Sequence, residues 1–129
     1  FKKFAIAAGD ALANAATLVD GLIVLGGGIA GAHPLFLQHL VHEMNLRFNT
    51  PDGKYLPRLE VKVFNLENEK ELQSFIKGKK SEIKVPFSAE KITFDPLQRI
   101  GVGISRLGTS KATAIGAYAF ALNQLDKIP

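Results

Sequence analysis

The stretch Leu22 to Gly31, Leu-Ile-Val-Leu-Gly-Gly-Gly-Ile-Ala-Gly, limits what this chain can become more than any other. Four large aliphatic residues running into three glycines predict a strand covered on both faces, ending in a turn where backbone must approach something closely. His33-Pro34 puts a proline where a first helical turn tolerates it, and Leu37, Leu40, Val41, Met44 and Phe48 follow at helical spacing. The unit reads as strand, glycine turn, helix. Amides in such a turn, with no Cβ in front of them, suit the ribose or phosphate of a nucleotide, although the same glycines also serve simply to reverse a chain. Gly26, Gly28 and Gly31 satisfy G-x-G-x-x-G, so a dinucleotide-binding fragment is a further reading. Against it, Pro34 sets the helix start beyond the third glycine, and Asp52 falls in a Pro-Asp-Gly turn instead of at the end of a second strand.

At 129 residues and 47% hydrophobic content the chain is long and apolar enough for one globular domain, 1–129, with a core of its own. It has no cysteine, which excludes disulfides, thiolate metal sites and any cysteine-rich zinc motif, and fits a reducing, cytoplasmic setting. The net charge of +4 is modest, and Lys77, Lys79 and Lys80 cluster without interleaved aromatics, so nucleic-acid binding is not expected. No apolar run reaches membrane-spanning length, so no membrane partner is expected either. The opening Phe1-Lys2-Lys3 and Ala13-Asn14-Ala15 imitate a secretory signal. Gly9-Asp10 interrupts its apolar stretch, however, and Phe4, Ala8, Leu12, Ala15 and Val19 recur as one helical stripe, predicting a packed first helix from Phe1 to Leu18. That helix has no capping residue and no initiating methionine before it, from which a cut out of a longer protein is expected.

Further along, Asn49 to Gly53 is turn chemistry, and Leu59, Val61 and Val63 alternate with Glu60 and Lys62 as a half-exposed strand. Asn68 with Glu71 resembles a capping box before a short helix carrying Leu72, Phe75 and Ile76, which Gly78 ends. Ile83, Val85 and Phe87, then Ile92 and Phe94, predict a hairpin whose first strand Pro86 relegates to an edge. Arg99 to Ser105 predicts a last strand with Gly101 and Gly103 on one face, where a helix or ligand can lie close. Thr109 or Ser110 then caps a final helix, Lys111 to Leu125, that is apolar nearly all round and expects partners on several sides. The predicted order is α-β-α-β-α-β-β-β-α, an α/β fold.

His39, His42 and Glu43 fall within one helical turn, but the pattern is neither H-E-x-x-H nor its inverse, so they read as a solvated face and no metal site is assigned. Glu43 and Arg47 form an expected i, i+4 pair. Asp20 reads as a turn residue, and no nucleophile and base constellation is recoverable, so no catalytic residue is assigned.

Two stretches, Asp20-Gly-Leu-Ile-Val-Leu-Gly-Gly-Gly-Ile and Ile104-Ser-Arg-Leu-Gly-Thr-Ser-Lys-Ala-Thr-Ala-Ile-Gly-Ala-Tyr, resemble the C-terminal segment of the ROK (repressor, open reading frame, kinase) sugar kinases, glucokinase-like members above all. Residues 65–95 have no counterpart in that resemblance and read as an elaboration holding the short helix and hairpin. The resemblance implies the C-terminal part of an actin-like, ribonuclease-H-like ATPase lobe, with Gly26, Gly27, Gly28 and Ile29 bordering the adenine, ribose and α-phosphate of ATP. It implies a last helix that returns to the N-terminal lobe. With the early strands of such a lobe absent, the sheet should show an open edge and the last helix an exposed apolar face, both of which invite self-association, so a homo-oligomer is expected. Where many members carry acidic residues after the Leu-Gly of the final turn, this chain has Thr109-Ser110-Lys111, so no ligand contact is assigned there. The family's phosphate-binding Asp-Leu-Gly-Gly-Thr-like turn, its sugar-reading Glu-x-Gly-His motif and its catalytic aspartate precede this segment and are not in the chain. The implied sugar contacts and Mg2+ site therefore belong to that other part, and phosphoryl transfer needs both. A sugar-sensing repressor module of the same family, without kinase activity, is the alternative the resemblance leaves open.

Overall fold

The computed structural model describes residues 1–127, so the last two residues of the expected 1–129 domain lie outside the described residues. Its centre is a three-stranded parallel sheet in the order β1-β7-β4, formed by Ile23–Leu25, Arg99–Ile104 and Lys62–Asn65. The helices are α1 (Lys2–Ala16) before the first strand, α2 (Leu37–Met44) and α3 (Glu69–Lys77) between strands, and α4 (Thr109–Leu125) after the last. Two antiparallel pairs complete it, β2 (Arg47–Asn49) with β3 (Tyr55–Pro57) and β5 (Ser81–Lys84) with β6 (Lys91–Phe94). The α/β class agrees with expectation, while the order differs: β2 and β3 are additional, and a 3-10 helix, Gly28–Leu35, separates β1 from α2.

One face of the sheet carries Ile23, Leu25, Val63, Val102 and Ile104, against which α1 and α2 pack. The buried residues of α1 are Ala5, Gly9 and Ala13, spaced by four, so the predicted stripe through Phe4 and Val19 is rotated by one position. Small residues win that face because α2 runs so close: a Cβ at Gly9 would stand 2.8 Å from the Leu40 carbonyl oxygen. Leu37, Leu40, Val41 and Met44 are buried as their spacing predicts. Phe48 is not part of that helix. Asn45 ends it, and Phe48 lies exposed on β2, where its ring meets Arg58. Nor does Pro34 open α2; it sits inside the 3-10 helix, which begins before the third glycine.

Arg58, nearly buried, ties this half together by pairing with Asp10 of α1 and with Glu43 of α2 at 3.5 Å. Glu43 therefore does not take the Arg47 partner its spacing offers, because Arg47 has left the helix for β2. His39 and His42 are exposed on α2. On the opposite face of the sheet, Phe64 meets Phe75 of α3 edge to face at 5.8 Å. Leu66 lies so close over β7 that a Cβ at Gly101 would fall 2.6 Å from its Cδ1, so a leucine fills the approach that the glycine face of β7 opens.

The strand predicted from Leu59 begins only at Lys62, and both Val63 and Phe64 are buried, since helices cover both faces there. Its outer edge is closed by side chains. The Asn45 amide donates to the Val63 carbonyl at 2.8 Å and accepts from the Val63 N–H at 3.0 Å, as a neighbouring strand would, and Glu71 accepts from the Asn65 N–H at 2.8 Å. Half of the expected capping box forms: Asn68 accepts from Lys70 and Glu71, but the Glu71 carboxylate serves β4 instead of turning back to Asn68.

The second hairpin has the pairing Ile83 with Ile92 and Ser81 with Phe94. Its turn is longer than predicted, so Pro86 and Phe87 fall outside the strands, and Phe87 is fully exposed with φ of 62°. At its base Asp95 accepts from the amides of Lys79 (3.1 Å) and Leu97 (2.9 Å) and pairs with Arg99. The Arg99 guanidinium, with those amides, holds the Asp95 carboxyl below its ordinary range. The N-cap of α4 is Gly108, without a side-chain bond, and neither Thr109 nor Ser110 takes that role. Every residue of α4 is exposed, and β1 is an edge strand whose Val24 is 64% exposed. The expectation that both faces of β1 are covered therefore fails, because the outer face at Val24 has no helix over it. Among the described residues no helix is long and apolar enough to cross a membrane.

Candidate functional site

β1 and β7 run parallel, so their carboxyl ends lie side by side: Leu25 pairs with Ile104, and the Ser105 N–H donates to the Leu25 carbonyl at 2.8 Å. The chain then departs from both strands at one place, the arrangement that leaves a crevice at the ends of parallel strands. There a hollow of about 350 Å³ is lined by Gly27, Ala30, Gly31 and His33 on one side and by Ile104 to Thr109 on the other.

The glycine turn forms the first wall. Gly26, Gly27, Gly28 and Ile29 are all exposed, and Gly27 is the one among them that borders the hollow. Gly27 has φ 86° and ψ −170°, a conformation essentially restricted to glycine. No heavy atom lies within 4 Å of where its Cβ would stand, nor beside Gly28 or Gly31. Backbone shape requires the glycine at 27, then, and the space beside it stays free for something else. Because a carbonyl oxygen only accepts, His33 Nδ1 donates to the Ala30 carbonyl at 3.0 Å, which pins the imidazole to the 3-10 turn.

Openness at Gly31 also bears on the dinucleotide reading. In that motif the third glycine lets helix and strand pack closely, whereas here nothing approaches Gly31 and it lies within the 3-10 helix. The match of Gly26, Gly28 and Gly31 to the pattern is a match of spacing alone.

The second wall, Ile104 to Thr109, includes Leu107 to Thr109 of the final turn, for which the sequence assigns no ligand contact, and it stands across from Gly27 and Gly31. Both walls offer main-chain donors. Gly27 and Gly108 are the N-caps of the 3-10 helix and of α4, and neither end has a side-chain cap. Among the described residues no carboxylate lines the hollow, so its lining suits an anion and supplies no ligand set for Mg2+. Among the described residues no three His, Asp or Glu side chains gather as a metal site, and His39, His42 and Glu43 stand away from the hollow on α2.

No family profile matches the chain, and no curated protein sequence matches it. Among solved structures it is similar to a glucokinase from Parabacteroides distasonis, with 42% sequence identity and a TM-score of 0.76. That likeness covers 95% of this chain and extends into residues 65–95. The chain spans about a third of the glucokinase's length, 32% of it, so this is a likeness to one part of that enzyme, in its mixed α/β architecture and parallel sheet.

Proposed function

We propose that this chain is the ATP-side, C-terminal portion of a cytoplasmic, glucokinase-like sugar kinase of the ROK type, with the actin-like lobe that type implies. The observation that carries the reading is the open glycine turn at the end of β1, facing a hollow between parallel strand ends, in a chain 42% identical to a glucokinase. The nucleotide lies along Gly26 to Ile29, with the Gly27 backbone against its ribose and α-phosphate. Free amides at the N-cap of the 3-10 helix face the same anion, and the lack of carboxylates in the lining keeps like charges from it.

ATP supplies the transferred phosphoryl group. The chain's own residues bind and orient the nucleotide; the sugar, the base at its hydroxyl and the ligands of Mg2+ come from the rest of the kinase. Isolated, this portion associates with its own kind through the uncovered β1 edge and the apolar α4, surfaces that other parts of the kinase cover in the whole protein.

Titration of the chain with ADP and with NAD, followed through its backbone amide resonances, tests the reading. Millimolar ADP should shift the amides of residues 26–31, with NAD weaker and with no glucose phosphorylation by the chain alone. Preference for NAD, or no response to ADP, would sink it.

A further inference from the structure

Resting on the nucleotide reading above, a further residue of the hollow can be identified from how it is held. Glu67 follows β4, and its side chain is only 14% exposed although both oxygens are engaged at the rim of the sheet. Oε1 accepts from the Ile104 N–H at 3.0 Å, on the side of β7 that β4 has just left, so the carboxylate stands in for a further residue of strand. Oε2 accepts from Arg106 Nη2 at 2.8 Å. The glutamate is itself fixed, since its N–H donates to the Asn65 side chain at 3.0 Å, and Asn65 is buried and bonded in turn to Gln38.

At the other end of this chain of bonds Arg106 is 84% exposed, and it is the one lining residue of the hollow with a permanent charge. An exposed ion pair of this kind adds little to stability, so its effect is to aim the guanidinium. With Nη2 directed at Glu67, the donors on its other nitrogens remain turned to solvent and suit the paired oxygens of a phosphate.

We propose that Arg106 binds the phosphate chain of the nucleotide and makes the hollow select a nucleoside polyphosphate over a nucleoside, with Glu67 as the positioning residue that holds it there. The test compares ADP with adenosine on the whole chain by calorimetry, each variant being checked for unchanged amide dispersion. Arg106→Ala should weaken ADP about tenfold, the loss of a charged hydrogen-bonded contact, and leave adenosine unchanged. Arg106→Lys should retain part of the preference. Glu67→Gln, which keeps an acceptor for the Ile104 N–H, should lower ADP affinity a few-fold, again without moving adenosine. If ADP binds wild type and Arg106→Ala alike, or if the variant loses ADP and adenosine equally, Arg106 is not the phosphate contact and only this inference falls. If the wild-type chain binds neither compound, the nucleotide reading falls and takes this one with it.

Discussion

The two edges of the central sheet contrast. At β4 the outward N–H and C=O of Val63 are occupied by one asparagine, and the next outward N–H, that of Asn65, by a glutamate. At β1 there is β7 on one side, no strand among the described residues on the other, and a valine largely open to water. Proteins block free edges because unpaired strand groups recruit other chains. Here one edge is blocked and its opposite is bare, and α4 contributes no buried residue at all. The difference teaches that the α1, α2 and β4 half is packed and closed by the chain's own residues, whereas β1 and α4 keep an open edge and an open apolar surface.

Four substitutions sharpen or break that contrast. Leu40→Ala, in the closed half, should lower unfolding stability in urea by about 2–5 kcal/mol, while Phe120→Ala on α4 should change it by less than about 0.5 kcal/mol. Measured at concentrations where the chain is monomeric, equal losses would mean that α4 packs against the chain itself and that the division is false. Asn45→Ala removes both partners of Val63 and should cost about 1–3 kcal/mol, with faster aggregation as the second edge opens. A variant that keeps its stability and solubility would show that the asparagine does not close that edge. Smallest in stability, Val24→Lys should alter unfolding by less than about 0.5 kcal/mol and yet reduce self-association in sedimentation. An unchanged sedimentation profile would remove the β1 edge as the route of association.

Much of this was legible in the sequence, wherever a signal is local. The exposed glycine turn, the four buried positions of α2, the end of α3 at Gly78 and the β5 and β6 hairpin each rest on neighbouring residues. What escaped depends on partners far along the chain. Glu43 abandons its expected neighbour for Arg58, and Glu71 leaves its capping box for β4, because tertiary placement decides which partner a carboxylate meets. Phe48 continues the helical spacing of α2, but Asn45 is drawn into bonding Val63, and the chain turns away into a strand too short to carry a periodic signal. The second wall of the hollow was invisible for the same reason: only the register of Leu25 with Ile104 brings residues 104–109 beside the glycine turn.

The β5 and β6 arm has a consequence for engineering. Its base is locked by one aspartate bonded to Lys79, Leu97 and Arg99, while its tip, from Val85 to Glu90, reaches into water with a phenylalanine at the summit. A graft spliced in beside Phe87 would leave both strand partners and the latch beneath them in place, so this apex is where a fluorophore, an affinity tag or an entire guest domain could ride without disturbing the hollow at the ends of β1 and β7.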